Sequence, residues 1–190
     1  MNTKFYSIIR PMVKVLFKLL FHPNVIGYEN IPKDTNYVLA GNHTKWLDPI
    51  MLIAIIPKQV HFLAKDSLFK GLLRPIVKGV GAIPVNRKIH DKEALESAIK
   101  ALKQNAIIGV FPEGTINREK KTPTLPFKYG AVKMANVTNT PIVPFVITGY
   151  YKIFSSKITI EFLKPRTIST NLDQENQKLR EEIDKKLEEK

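Results

Sequence analysis

Two side chains five positions apart, His43 and Asp48, are the first pair along the chain whose types could do chemistry together. An imidazole exchanges protons near neutral pH. A carboxylate bonded to one ring nitrogen fixes the tautomer, stabilises the imidazolium and leaves the other nitrogen as a general base. Geometry restricts how the pair can meet. Five helical steps turn a side chain through about 500°, which leaves the two about 140° apart on a continuous helix. The pair can close only if His43 lies in a turn and the helix starts near Pro49, where proline suits the first helical position. The plainer reading makes Asp48 the N-cap of that helix and His43 a satisfied polar residue at a strand end.

Further along, Phe111-Pro-Glu-Gly-Thr115 puts a carboxylate, a glycine and a hydroxyl into one turn after a buried apolar run. It serves equally as a strand-ending turn in which Gly114 takes a positive φ and Thr115 caps the next segment. Arg87, closing Gly81-Ala-Ile-Pro-Val-Asn-Arg87, has the planar fork that grips a phosphate, and Lys65 closes an earlier apolar run. Either cation could instead be a solvated surface charge.

These groups need a scaffold, and the apolar pattern supplies one. Short runs at 37–41, 60–64, 82–85, 106–111 and 142–148 read as strands, and 157–162 alternates like an exposed strand. Helical patterns fall at about 49–56, at 67–77 with an interruption at Pro75, at 91–104 with Asp91 as N-cap and Asn105 as stop, at 129–137 and at 171–190. Strands alternating with helices specify an α/β class: a single domain with a mixed, largely parallel sheet flanked by helices. The 190 residues suit one domain, and 44% hydrophobic with 25% charged residues is an ordered composition.

The opening segment is of another kind. Residues 6–21 are strongly apolar, yet Arg10, Lys14 and Lys18 recur at four-residue steps and so share one helical face. A spanning helix needs about 20 mainly apolar residues and tolerates three central cations poorly. The pattern fits an interfacial amphipathic helix over residues 1–22, or an ordinary helix packed on the domain with its lysines in water. Residues 23–190 form the α/β domain. Neither a cleavable leader nor a span is expected, which places the chain in the cytoplasm.

With no cysteine, disulfides, thiolate metal sites and a cysteine nucleophile are excluded. The net charge of +13 calls for an anionic partner. Residues 1–170 carry 25 Lys and Arg against 10 Asp and Glu, whereas 171–190 carry 5 against 7, so the excess belongs to the body. No recognised nucleic-acid motif accompanies it, and no nucleic acid is expected. No Gly-x-Ser-x-Gly elbow occurs, which disfavours a serine hydrolase.

In this order, Asn42-His43 through Asp48, Gly81 through Arg87, Phe111 through Thr115 and Pro141-Ile-Val-Pro144 resemble the four blocks of the glycerolipid acyltransferase family. Ala64 through Lys70 and Phe127-Lys128-Tyr-Gly130 resemble its bacterial 1-acylglycerol-3-phosphate subgroup, and the likeness covers about residues 37 to 149. The resemblance implies a domain held on the cytoplasmic face of the cell membrane, its anionic surface included. It implies a lysophospholipid acceptor, acyl-CoA or acyl carrier protein as thioester donor, and no metal or resident cofactor. On the matching positions, His43 deprotonates the acceptor hydroxyl, Asp48 orients it and no acyl-enzyme forms. Arg87, helped by Lys65, binds the acceptor phosphate. Glu113, Gly114 and Thr115 shape the acceptor side, and Pro144 borders the pocket. The chain departs from the family in one place: the arginine usual after Glu-Gly-Thr is Ile116 here, and the first arginine is Arg118, which could supply the cation from a shifted position. That leaves open another lysolipid or aminolipid as acceptor, a phospholipid-donor transacylase or, outside enzymes, a basic membrane- or nucleic-acid-binding protein.

Overall fold

Alternating apolar and amphipathic runs become alternating strands and helices in the computed structural model, which describes residues 3–86, 91–119 and 121–189. The chain order is α1 (Thr3–Phe21), β1 (Asn24–Ile26), β2 (Val38–Gly41), α2 (Asp48–Ile55), β3 (Val60–Lys65), α3 (Arg74–Gly79), β4 (Ile83–Val85) and α4 (Lys92–Lys103). It continues with β5 (Ile107–Val110), α5 (Gly130–Thr138), β6 (Ile142–Gly149), β7 (Ile158–Phe162) and α6 (Leu172–Glu188).

The seven strands form one sheet in the order β1-β7-β6-β2-β5-β3-β4. Strands β6, β2, β5, β3 and β4 are mutually parallel, β7 runs antiparallel to β6, and β1 is parallel to β7. The mixed, largely parallel α/β domain expected from the pattern is the one that forms. Side chains alternate across the central strands as a period of two requires. Leu39 joins Met51, Leu52, Ile107 and Phe145 under α1 and α2, whereas Val38 and Ala40 join Leu102, Ile108, Met134 and Leu179 under α4, α5 and α6. The chain leaves β2 toward β3 and leaves β5 toward β6, in opposite directions from neighbouring strands. Their carboxyl ends therefore flank the crevice where open α/β sheets bind ligands.

Two expectations are corrected, and one strand had no expectation. The 67–77 stretch is a 3₁₀ turn (Asp66–Phe69) followed by α3, and Pro75 starts the second piece instead of interrupting one helix, because proline belongs in a first turn. The 157–162 strand is not exposed: β7 is paired on both sides and alternates between buried and half-buried residues. Strand β1, three residues long, was too short to show a period.

Helix α1 packs on the domain along one face and exposes an apolar stripe along another. Tyr6 and Phe17 are buried in the α2-side core, and Arg10 donates from Nε to the carbonyl of Ile56 at 2.9 Å, satisfying the C-terminal end of α2. On the outside, Ile8, Met12, Val15, Leu16 and Leu19 form a stripe, each more than half exposed. Among the described residues no helix is long and apolar enough to cross a membrane.

Gly41, the last residue of β2, lies so close to β6 that a Cβ would meet the ring and carbonyl oxygen of Phe145. Gly41→Ala is expected to cost about 1–3 kcal/mol through overpacking, read as a lower urea midpoint; an unchanged midpoint would contradict this close approach.

Candidate active site

Immediately past Gly41, the side chain of Asn42 continues the β2–β6 pairing where the backbone stops. Its amide donates to the carbonyl of Ile147 at 2.8 Å and accepts the Ile147 N–H at 2.7 Å. This clamp fixes where the chain leaves the sheet, and His43 comes next at the carboxyl edge.

Between His43 and α2 the chain doubles back, with the N–H of Asp48 donating to the carbonyl of Lys45 at 3.0 Å. Helix α2 begins at Asp48, with Pro49 in its first turn, so the bend required by the five-residue spacing is present. His43 Nδ1 lies 2.8 Å from Asp48 Oδ2. The same oxygen accepts the N–H groups of Thr44 at 2.6 Å and Lys45 at 2.8 Å. Oδ1 accepts the hydroxyls of Thr44 at 3.0 Å and Tyr151 at 2.6 Å. Asp48 has no exposed surface, so all its acceptor capacity is met by protein. An acceptor-only carboxylate facing Nδ1 requires the histidine proton there, which leaves Nε2 with the lone pair and with no hydrogen bond to the described residues.

The imidazole is held in a second plane of contact. Phe111, just past β5, stacks on it with ring centroids 4.1 Å apart and planes 18° apart. Two residues on, Glu113 turns inward. Its Oε1 accepts the backbone N–H of His43 and its Oε2 that of Leu125, both at 2.8 Å. Burial pushes this carboxyl above the usual range, against the pull of those N–H groups and of the nearby His43 ring. Glu113 therefore holds the backbone of His43 and that of Leu125 in place. Gly114 takes φ +70, and the aliphatic end of Lys128 lies over it. Asn117 donates its N–H to the carbonyl of His43 at 3.3 Å, which lays residues 115–118 against the site.

The remaining candidates occupy the same edge less closely. Thr115 and Arg118 are exposed and make no hydrogen bond or ion pair with described residues, so the capping role open to Thr115 is not realised. Lys65 is exposed at the carboxyl end of β3, opposite Val85 in β4. His61 Nδ1 donates to the carbonyl of Gly81 at 2.7 Å and ties β3 to the turn that starts β4. Arg87, two positions past β4, lies outside the described residues. Strands are spaced by about 4.8 Å, so Lys65 emerges roughly 10 Å sideways from His43 along the edge. Pro144 is buried within β6 opposite Ala40, three residues before the strand reaches the Asn42 clamp at Ile147. Among the described residues no cluster of His, Asp and Glu could hold a metal ion.

Two contributors escaped the sequence reading. Tyr151 lies 103 positions from Asp48, and its ring is met edge-on by Phe17 and Phe21 of α1 at 6.2 and 5.6 Å. Burial and the neighbouring Asp48 carboxylate push its phenol far above the ordinary tyrosine value, so it acts here as a donor. Asn42 was read as part of a motif but not as a clamp. Only its amide, placed one residue after a strand, hinted at that use.

Comparison with known proteins identifies the family. A family model described as Acyltransferase matches residues 22–148. The chain is 34% identical over 146 residues to a 1-acyl-sn-glycerol-3-phosphate acyltransferase of Bacillus subtilis, covering 76% of this chain and 71% of that protein. It is 38% identical over 137 residues to a protein of the same name from Borreliella burgdorferi, covering 70% of this chain and 54% of that one. The crystal structure of the 1-acyl-sn-glycerophosphate (LPA) acyltransferase PlsC of Thermotoga maritima superposes with a TM-score of 0.77 at 25% identity, over 97% of this chain and 78% of that chain. The chain thus spans only part of the length of these relatives.

Glu113→Gln offers one oxygen where two backbone N–H groups need acceptors. It is expected to destabilise the fold by about 1–3 kcal/mol, the cost of a buried unpaired donor. Chemical denaturation checks this, and a neutral result would remove Glu113 from the support of His43.

Proposed function

The chain belongs to the acyltransferase family, and from that premise we propose that it moves a fatty acyl group from acyl-CoA or acyl carrier protein to the free hydroxyl of 1-acylglycerol-3-phosphate, giving phosphatidic acid. One observation carries this reading: a histidine whose Nδ1 is held by a fully buried carboxylate while Nε2 stays unpaired at the carboxyl edge.

The chemistry rests on that arrangement. Nε2 takes the proton of the acceptor hydroxyl as its oxygen attacks the thioester carbonyl. The tetrahedral intermediate expels the thiolate as the C–S bond breaks, and the imidazolium returns the proton to sulfur. Asp48 stabilises the imidazolium between the two transfers. No protein nucleophile is required. For the acceptor phosphate, Arg87 and Lys65 are the proposed partners, with Arg118 as the shifted cation beside Asn117. Half-buried Ile116, standing where the family usually has arginine, supports a second reading in which the acceptor carries a different head group.

The work is proposed to occur on the cytoplasmic face of the cell membrane, without a span. Besides the α1 stripe, large apolar side chains are exposed at the carboxyl edge itself: Trp46 beside the catalytic turn, Leu72 and Leu73 before α3, and Ile153 and Phe154 after β6. Together they would bring the edge against the bilayer, where an acceptor can reach His43 without leaving the lipid.

His43→Ala is expected to remain folded and to lower acyl transfer by at least 10²-fold, the usual contribution of a general base. Turnover measured with a panel of lysolipid acceptors tests both chemistry and acceptor, and near-normal turnover by this variant would sink the mechanism. Because Tyr6 and Phe17 are core residues, the membrane role of α1 is tested on its outer stripe instead of by deletion. Leu16→Gln with Leu19→Gln should weaken vesicle association about tenfold or more, and unchanged co-sedimentation would refute interfacial insertion.

A further inference from the structure

Away from His43, a groove of about 410 Å³ lies between α1, α2 and the start of β1. Its floor is apolar, formed by Phe17, Val25 and Ala54, and its rim carries Lys14, Lys18 and His22. Lys14 and Lys18, one turn apart, share one flank of α1, and His22 follows just past its C-terminal end, at φ 42. No carboxylate lines the groove, and neither lysine's ammonium has an ion pair or hydrogen bond among the described residues. A second cavity of about 260 Å³, lined in part by Lys33 and Lys58, adjoins it at Tyr28, and it too has no carboxylate. Like charges one helical turn apart repel, so the helix bears a strain that a bound anion would relieve.

Position and charge together define the occupant. The outer stripe of α1 points away from the core, and the cationic flank lies between that stripe and the groove. With the stripe in the acyl region of a bilayer, Lys14 and Lys18 reach the depth of lipid phosphates. A soluble nucleotide would meet the same cations but has no chain to cover Phe17, Val25 and Ala54.

We propose that this groove binds one anionic phospholipid of the bilayer, separate from the acceptor lipid. Its phosphate lies between Lys14 and Lys18, the imidazole of His22 contributes an N–H donor, and the first part of an acyl chain covers the apolar floor. The assignment rests on the interfacial placement of α1 and not on acyl transfer.

The test uses the full chain and short-chain lipids below their micelle concentrations, dihexanoyl phosphatidylglycerol against dihexanoyl phosphatidylcholine, titrated by calorimetry. The anionic lipid is expected to bind at least tenfold tighter. Lys14→Gln with Lys18→Gln should abolish that preference, and Lys14→Arg with Lys18→Arg should keep it. Lys100→Gln with Lys103→Gln removes the same charge from α4 and should also keep it. Equal losses in the two glutamine variants would reduce the effect to diffuse charge and overturn the site, as would no preference in the unaltered chain. Full displacement by CoA at comparable concentration would overturn it in favour of a nucleotide. Binding is read without turnover, and a His43→Ala chain should give the same preference, so failure of the acyl-transfer reading leaves this result interpretable.

Discussion

Five donors converge on the carboxylate of Asp48, and much of the molecule exists to bring them there. Three come from the turn after β2, one from the histidine it orients and one from Tyr151 beyond β6. A buried carboxylate is tolerated only when its lone pairs are met. The requirement that makes Asp48 costly to bury is therefore the one that makes His43 rigid. Removing a donor would loosen the acceptor and, through it, the imidazole.

The sheet solves the positioning problem with few covalent neighbours. Parallel strands place their carboxyl ends on one edge, so β2, β5 and β3 deliver His43, the Phe111–Thr115 turn and Lys65 to a common side. Between neighbouring strands the joints are specific: Asn42 stitches β2 to β6, and Glu113 stitches the turn after β5 to the backbone of His43. Phe111 then closes the remaining freedom by stacking on the ring.

How much of this could be read from residues alone varied with the range of the interaction. The bend between His43 and Asp48 was legible because the two cannot meet on a continuous helix and because Pro49 marks the helix start. Helix α4 was legible from its stripe and from Asp91, whose carboxylate accepts the N–H of Ala94. Tyr151 and the inward turn of Glu113 were not, since a partner 103 or 70 positions away leaves no local pattern. Arg10 misled for a related reason: its spacing matched Lys14 and Lys18, yet it satisfies a carbonyl of α2 that no periodicity reveals.

The reach of Asp48 to Tyr151 also bears on how the protein comes into being. Strand β2 is made early but becomes a central strand only when β5 and β6 arrive beside it, and Tyr151 comes after β6 in the chain. Contacts of such separation form late, after the loops between them have closed. During synthesis the turn from His43 to Asp48 leaves the ribosome well before the residues that seat it. A nascent chain would carry the complete motif while its imidazole was still unanchored, so the base is fully assembled only after Tyr151 has been made.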